Sequence, residues 1–166
     1  MKRAAVIAGI LVVAAAAAGS GLLVARFGEA RGFPVSQLKE GVNPATLQIT
    51  PMFVVRHGGS AFALRPFAPD SQTPVGWCGG QGFFEDPATG SKWDGDGRYL
   101  AGPALRGLDH LRSKIVNGVL QVAPGEVDLG DPRAAYRPAT DLPRCDWATA
   151  AFAPGVAPPP SPSPGS

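Results

Sequence analysis

Cysteine and histidine are scarce in this chain of 166 residues, at two each. No C-x-H or C-x-x-H pair occurs, so the closely spaced ligand pairs that announce most metal loops are missing. His57 and His110 have no evident nucleophile beside them in sequence, and no Ser/His/Asp or Cys/His catalytic set emerges. The glycine-rich stretch Gly79-Gly80-Gln81-Gly82 lacks the Lys-Ser/Thr of a nucleotide-binding loop. Basic runs are absent as well. Setting aside Lys2 and Arg3, 13 basic side chains face 13 acidic ones. Nucleic acid is excluded as a partner, because its affinity rests on clustered Lys and Arg. No segment beyond the N-terminus keeps a long helical periodicity.

What the chain has at its start is a positive Met1-Lys2-Arg3 followed by no charge from Ala4 to Ala25. That length can span a bilayer, which takes about 20 apolar residues. A cleaved signal peptide is the alternative, with Ala16-Ala17-Ala18 before Gly19 as the small-residue site. The apolar run resumes at Leu22-Leu23-Val24, which favours an uncleaved single-pass anchor. Either way the rest of the chain lies on the extracytoplasmic side of a bacterial-type cytoplasmic membrane.

Glycine (22) and proline (18) are abundant, and they punctuate short β-rich runs. Thr46–Thr50, Met52–Arg56 and Ala61–Arg65 are such runs. The clearest signal is Ser113–Val116 and Val119–Val122 joined by Asn117-Gly118, a pair suited to the positive φ angles of a type I′ hairpin. Short strands and close turns predict an all-β antiparallel sandwich or partial barrel. The organisation expected is an anchor over 1–25, a linker over 26–41, a β domain over 42–150 and a disordered proline-rich tail over 151–166.

Pro74-Val75-x-Trp77, Pro87, Gly90-Ser91-Lys92-Trp93-Asp94 and Gly102-Pro103-Ala104 together resemble a Rieske [2Fe–2S] domain of the membrane-anchored respiratory type. The resemblance runs roughly from Phe33 to Val122. Members carry one loop of form C-x-H-x-G-C-P and a second of form C-P-C-H-G-S-x-[FYW]-D. Aligned on the shared anchors, the two ligand cysteines fall on Ala68 and Asp86, and the two ligand histidines on Asp70 and Thr89. The family's loop-bridging cysteines fall on Thr73 and Ala88. Such a cluster needs two thiolates on one iron and two imidazoles on the other, so the expected cofactor is none.

Asp70, Glu85, Asp86, Asp94 and Asp96 invite a metal reading. The plainer expectation is solvated loop charges, with Asp94-Gly95-Asp96-Gly97 as a turn. Ser91 matches the family serine that donates to a sulfide; without one, its hydroxyl is expected on a backbone group. Trp77 and Phe83 are expected in the core beneath the loop tips. Cys78 and Cys145 are expected to pair, as lone thiols do in an oxidising compartment, with two buried free thiols as the alternative. The resemblance implies docking through the loop-tip surface at Gln72, Thr73, Gly102 and Pro103. The expected role is a non-enzymatic accessory subunit whose partners are the bilayer and a respiratory or other membrane redox complex. The rivals are a working electron-transfer protein and a small-ligand or metal-binding module in the vacated loops.

Overall fold

A computed structural model describes residues 32–158, and the expected anchor over 1–25 lies outside them. Ten strands follow in chain order: β1 (Gly32–Pro34), β2 (Gly41–Leu47), β3 (Thr50–His57), β4 (Ser60–Leu64), β5 (Gly76–Cys78), β6 (Phe83–Glu85), β7 (Lys92–Asp94), β8 (Tyr99–Ala101), β9 (His110–Val116) and β10 (Val119–Asp128). They form a six-stranded sheet ordered β1-β10-β9-β4-β3-β2 and a four-stranded sheet ordered β5-β6-β7-β8. Every pairing is antiparallel. The all-β antiparallel expectation holds. No helix among the described residues is long and apolar enough to cross a membrane.

The run Met52-Phe53-Val54-Val55 explains how the large sheet sits. Successive strand side chains point to opposite faces, and all four are fully buried. Phe53 and Val55 join Leu64, Phe84, Trp93 and Leu108 in the main core. Met52 and Val54 face the other way, with Ala63, Leu111 and Leu120, under the segment that carries Val35 and Leu38. A strand apolar at every position is therefore one that is covered on both sides. Phe84 ties the small sheet into the main core, its ring 4.9 Å from that of Phe53 and 4.8 Å from that of Trp77.

The hairpin at Asn117-Gly118 forms as its sequence dictates, with φ of 51° and 75° and β9 paired to β10 on either side. Beyond Val122 the register shifts before Val127, and this irregularity around Pro124-Gly125 lets β10 run on to Asp128.

Both domain boundaries read from sequence need correcting. The linker expected over 26–41 contributes β1, whose Phe33 pairs with Leu120, and the first residue of β2. The tail expected from 151 is docked at its start. Ala151 exchanges both backbone hydrogen bonds with Trp77, at 2.8 and 2.9 Å. Ala153 is buried and Val156 packs against the main core. The disulfide between Cys78 and Cys145 and the ring of Phe152 against Gly76 hold this stretch to β5. Residues 159–166 lie outside the described ones.

Candidate functional site

Three loops converge at one end of the small sheet. The first joins β4 to β5 and closes through Ala68 N–H to Thr73 O (2.8 Å) and Gln72 N–H to Ala68 O (3.0 Å), with Gln72 at φ 56°. The second joins β6 to β7 and closes through Asp86 N–H to Ser91 O and Gly90 N–H to Asp86 O. The third is Gly102–Leu105, after β8. Between them lies a cavity of about 280 Å³. Ala68, Asp70, Asp86 and Thr89 all line it, together with Ser71 and Ser91. The fold thus gathers the four aligned ligand positions around one space.

Asp86 organises this space. Its Oδ2 accepts hydrogen bonds from Ser71 Oγ (2.9 Å) and Thr89 Oγ1 (2.7 Å), and its Oδ1 accepts the Ala88 N–H (2.9 Å). Ser91 Oγ lies 3.0 Å from Thr89 Oγ1 and accepts the Ala104 N–H at 3.0 Å. Since Thr89 spends its proton on Asp86, Ser91 donates to Thr89. Asp70 Oδ2 accepts the Leu105 N–H at 2.9 Å. Asp86 therefore joins the first loop to the second, while Ser91 and Asp70 tie these two loops to the third. Every hydroxyl proton in the network is committed within the protein.

Several expectations shift here. Asp86 is 1% exposed and Glu85 5%, so neither is a solvated loop charge. Burial is tolerated because each has donors. Glu85 Oε2 takes Lys92 Nζ and the Cys145 N–H, both at 2.9 Å. Asp70 is exposed, and Asp94-Gly95-Asp96-Gly97 is the turn expected, Asp94 Oδ1 accepting the Asp96 and Arg98 N–H groups. Ser91 does satisfy a backbone group, but that of the third loop rather than of its own turn. Phe83 is buried against the disulfide, whereas Trp77 is only partly buried.

The docking residues divide. Gln72, Gly102 and Pro103 are exposed and Thr73 is half-buried. Gly102 has a structural duty of its own, with φ at +96° and the Ser91 Cα only 2.5 Å from where a Cβ would stand. Any side chain there breaks the loop packing before it can probe a surface.

No family model matches the sequence, and no curated protein matches it closely enough to count as a relative. Solved structures do match. The chain is similar to a Rieske protein. That one is the cyanobacterial plasma membrane Rieske protein PetC3 from Synechocystis PCC 6803, at 25% identity and a TM-score of 0.42, over 50% of this chain and 86% of that one. A second is the ferredoxin of carbazole 1,9a-dioxygenase from Nocardioides aromaticivorans IC177, at 21% identity and a TM-score of 0.43, over 57% and 95%. A chain of a hyperthermophilic respiratory Complex III matches at 19% identity and a TM-score of 0.46, over 70% and 98%.

A Rieske cluster does not fit the residues at the loop tips. The four positions supply a methyl group, two carboxylates and a hydroxyl, where two thiolates and two imidazoles are required. Nor can the ligands come from elsewhere. Both cysteines are spent in the Cys78–Cys145 disulfide. Both histidines line a different cavity, beside the β7–β8 turn at the far end of the small sheet. Among the described residues no group of three His, Cys, Asp or Glu side chains is placed to hold a metal ion.

That second cavity brings together His57 and His110, which have no evident partner in sequence. His57 Nε2 lies 2.6 Å from Asp96 Oδ1, across 39 residues of chain, and no local pattern announces such a contact. The imidazole of His110 stacks on Phe62 with centroids 5.2 Å apart. Burial depresses its pKa below the usual 6.5, outweighing the pull of Asp131, Asp128 and Asp96 toward the protonated form. The unfolded chain therefore gains this proton first as pH falls from about 6.5, and native stability drops until the folded pKa is passed. Above that window the contribution is fully present. His110→Phe keeps the stack on Phe62 but removes the titration. Urea melts at stepped pH should show the natural chain losing more stability on mild acidification than this variant; parallel profiles would refute the assignment.

Proposed function

We propose that this chain is a clusterless Rieske-type domain, anchored by its N-terminal segment with the β domain outside the cytoplasmic membrane. It serves there as an accessory subunit of a respiratory or other membrane-bound redox complex. One observation carries the reading: the four positions where the cluster would be ligated line one cavity, and the polar side chains among them are hydrogen-bonded within the protein. Electron transfer is lost with the cluster, while the scaffold and its exposed loop tips remain available for contact with a partner. Fold alone does not set function, so the case rests on this site and on the apolar segment at the start of the chain.

Contact predicts an effect on assembly rather than on turnover. Deleting the chain should lower the abundance or association of the membrane complex with which it co-purifies after gentle solubilisation. The turnover of each assembled unit should stay the same. Charge-introducing changes at Gln72, Thr73 or Pro103 should reproduce the deletion, and Gly102 should be left alone because its replacement disturbs the fold. Normal abundance and association of every membrane complex in the deletion strain would end the accessory reading. Stoichiometric iron and sulfide in the purified chain would replace it with the electron-transfer one.

A further inference from the structure

Apart from the loop tips, the described part of the chain holds a cavity of about 390 Å³. Small-ligand pockets ordinarily span about 300–1,000 Å³. Its apolar wall includes Phe62 and Leu108, with Leu129 70% exposed at the rim. The polar lining carries both signs of charge, Arg98 on the β7–β8 turn and Asp131 on the segment after β10.

Tyr136 lines the same cavity as both charges. Its hydroxyl donates to Asp131 Oδ2 at 3.2 Å. Burial first and Asp131 next raise the pKa of that phenol, while Arg98 pulls it the other way. Hydrogen-bonding capacity is left over on both sides. Arg98 spends Nη1 on Asp96 Oδ2 at 3.0 Å and keeps its other N–H groups. Asp131 spends one carboxylate oxygen on Tyr136 and keeps the other. The His110 imidazole, neutral at ordinary pH, presents a ring nitrogen as a further acceptor. A surplus donor of positive charge and surplus acceptors of negative charge thus flank one apolar wall.

We propose that this cavity binds a small zwitterion of the α-amino-acid type. The ligand carboxylate pairs with Arg98, the ammonium with Asp131 and His110, and an aliphatic side chain lies on Phe62 and Leu108. A ligand carrying only one charge forgoes its ion pair with Arg98 or with Asp131, and that lost contact is the source of selectivity. The site is independent of the loop-tip reading and would stand if that reading failed.

Calorimetric titration of the full-length chain in detergent with leucine tests it. Isoamylamine, which lacks the carboxylate, and isocaproate, which lacks the ammonium, serve as probes of each half. Leucine should bind one-to-one, and each half-ligand should bind more weakly by about tenfold or more, the worth of one hydrogen bond to a charged group. Asp131→Asn and Arg98→Gln should each weaken leucine similarly. Both side chains are exposed, so unchanged melting temperatures will show that the variants fold. Absence of binding by leucine at millimolar concentration overturns the proposal. So do isoamylamine or isocaproate matching leucine, and so does full affinity in the two variants.

Discussion

Reducing the Cys78–Cys145 bridge, or replacing both residues by alanine, should lower the melting temperature of the chain by roughly 10 °C or more. The bridge closes a loop of 67 residues. On the chain-entropy account that restriction of the unfolded state is worth about 4 kcal/mol. Its structural consequence is local. Cys145 fastens a C-terminal strap to the edge strand of the small sheet, where Ala151 pairs with Trp77. Trp147 and Phe152 stack with centroids 6.2 Å apart and lie over Gly76, where a Cβ would stand 2.8 Å from the Trp147 ring. Once the bridge is opened, amide exchange at Trp77 should quicken ahead of that in β3, whose side chains fill the core. Thermal melts with and without reductant, paired with hydrogen exchange, provide the measurement. An unchanged melt, or Trp77 exchanging in step with β3, would show that the strap holds without its disulfide.

Replacing Asp86 by alanine should destabilise the chain by about 3 kcal/mol. It strips the acceptor from two hydroxyls and one backbone N–H at a site 1% exposed, and a buried donor left without a partner costs about 1–3 kcal/mol. Asp70→Ala should cost much less, because Asp70 is exposed and accepts one hydrogen bond, from Leu105 N–H. Asp86→Asn should fall between, since its amide nitrogen would face groups that need an acceptor. A chelator should leave the melt of the natural chain unmoved if hydrogen bonds among the loops, and no bound cation, hold them. Equal losses for Asp86→Ala and Asp70→Ala would refute the network's role. Chelator sensitivity that Asp86→Asn abolishes would favour the metal-binding rival.

Local chemistry made much of this legible before any coordinates. Asn117-Gly118 specifies its hairpin because only a few residue types accept two consecutive positive φ angles. The β-rich run Met52–Arg56 announces a strand, while its burial on both faces shows only in the fold. The lack of thiolate and imidazole at Ala68, Asp70, Asp86 and Thr89 is likewise plain from residue identity, since a ligand atom absent from a side chain cannot be supplied by folding. Tertiary structure alone decided the rest. Asp86 becomes a buried keystone because Ser71 and Thr89 arrive from two different loops. His57 meets Asp96, and His110 shares a cavity with Asp131, because the fold brings β3 and β9 against the β7–β8 turn and the segment after β10, which no sequence period encodes. The strap beyond Cys145 docks Trp147 and Phe152 over Gly76 and pairs Ala151 with Trp77, contacts that exist because a covalent bond brings it to an edge strand far away in sequence. Residue types, in short range, set which bonds can exist; which of them do exist depends on partners brought together from distant parts of the chain.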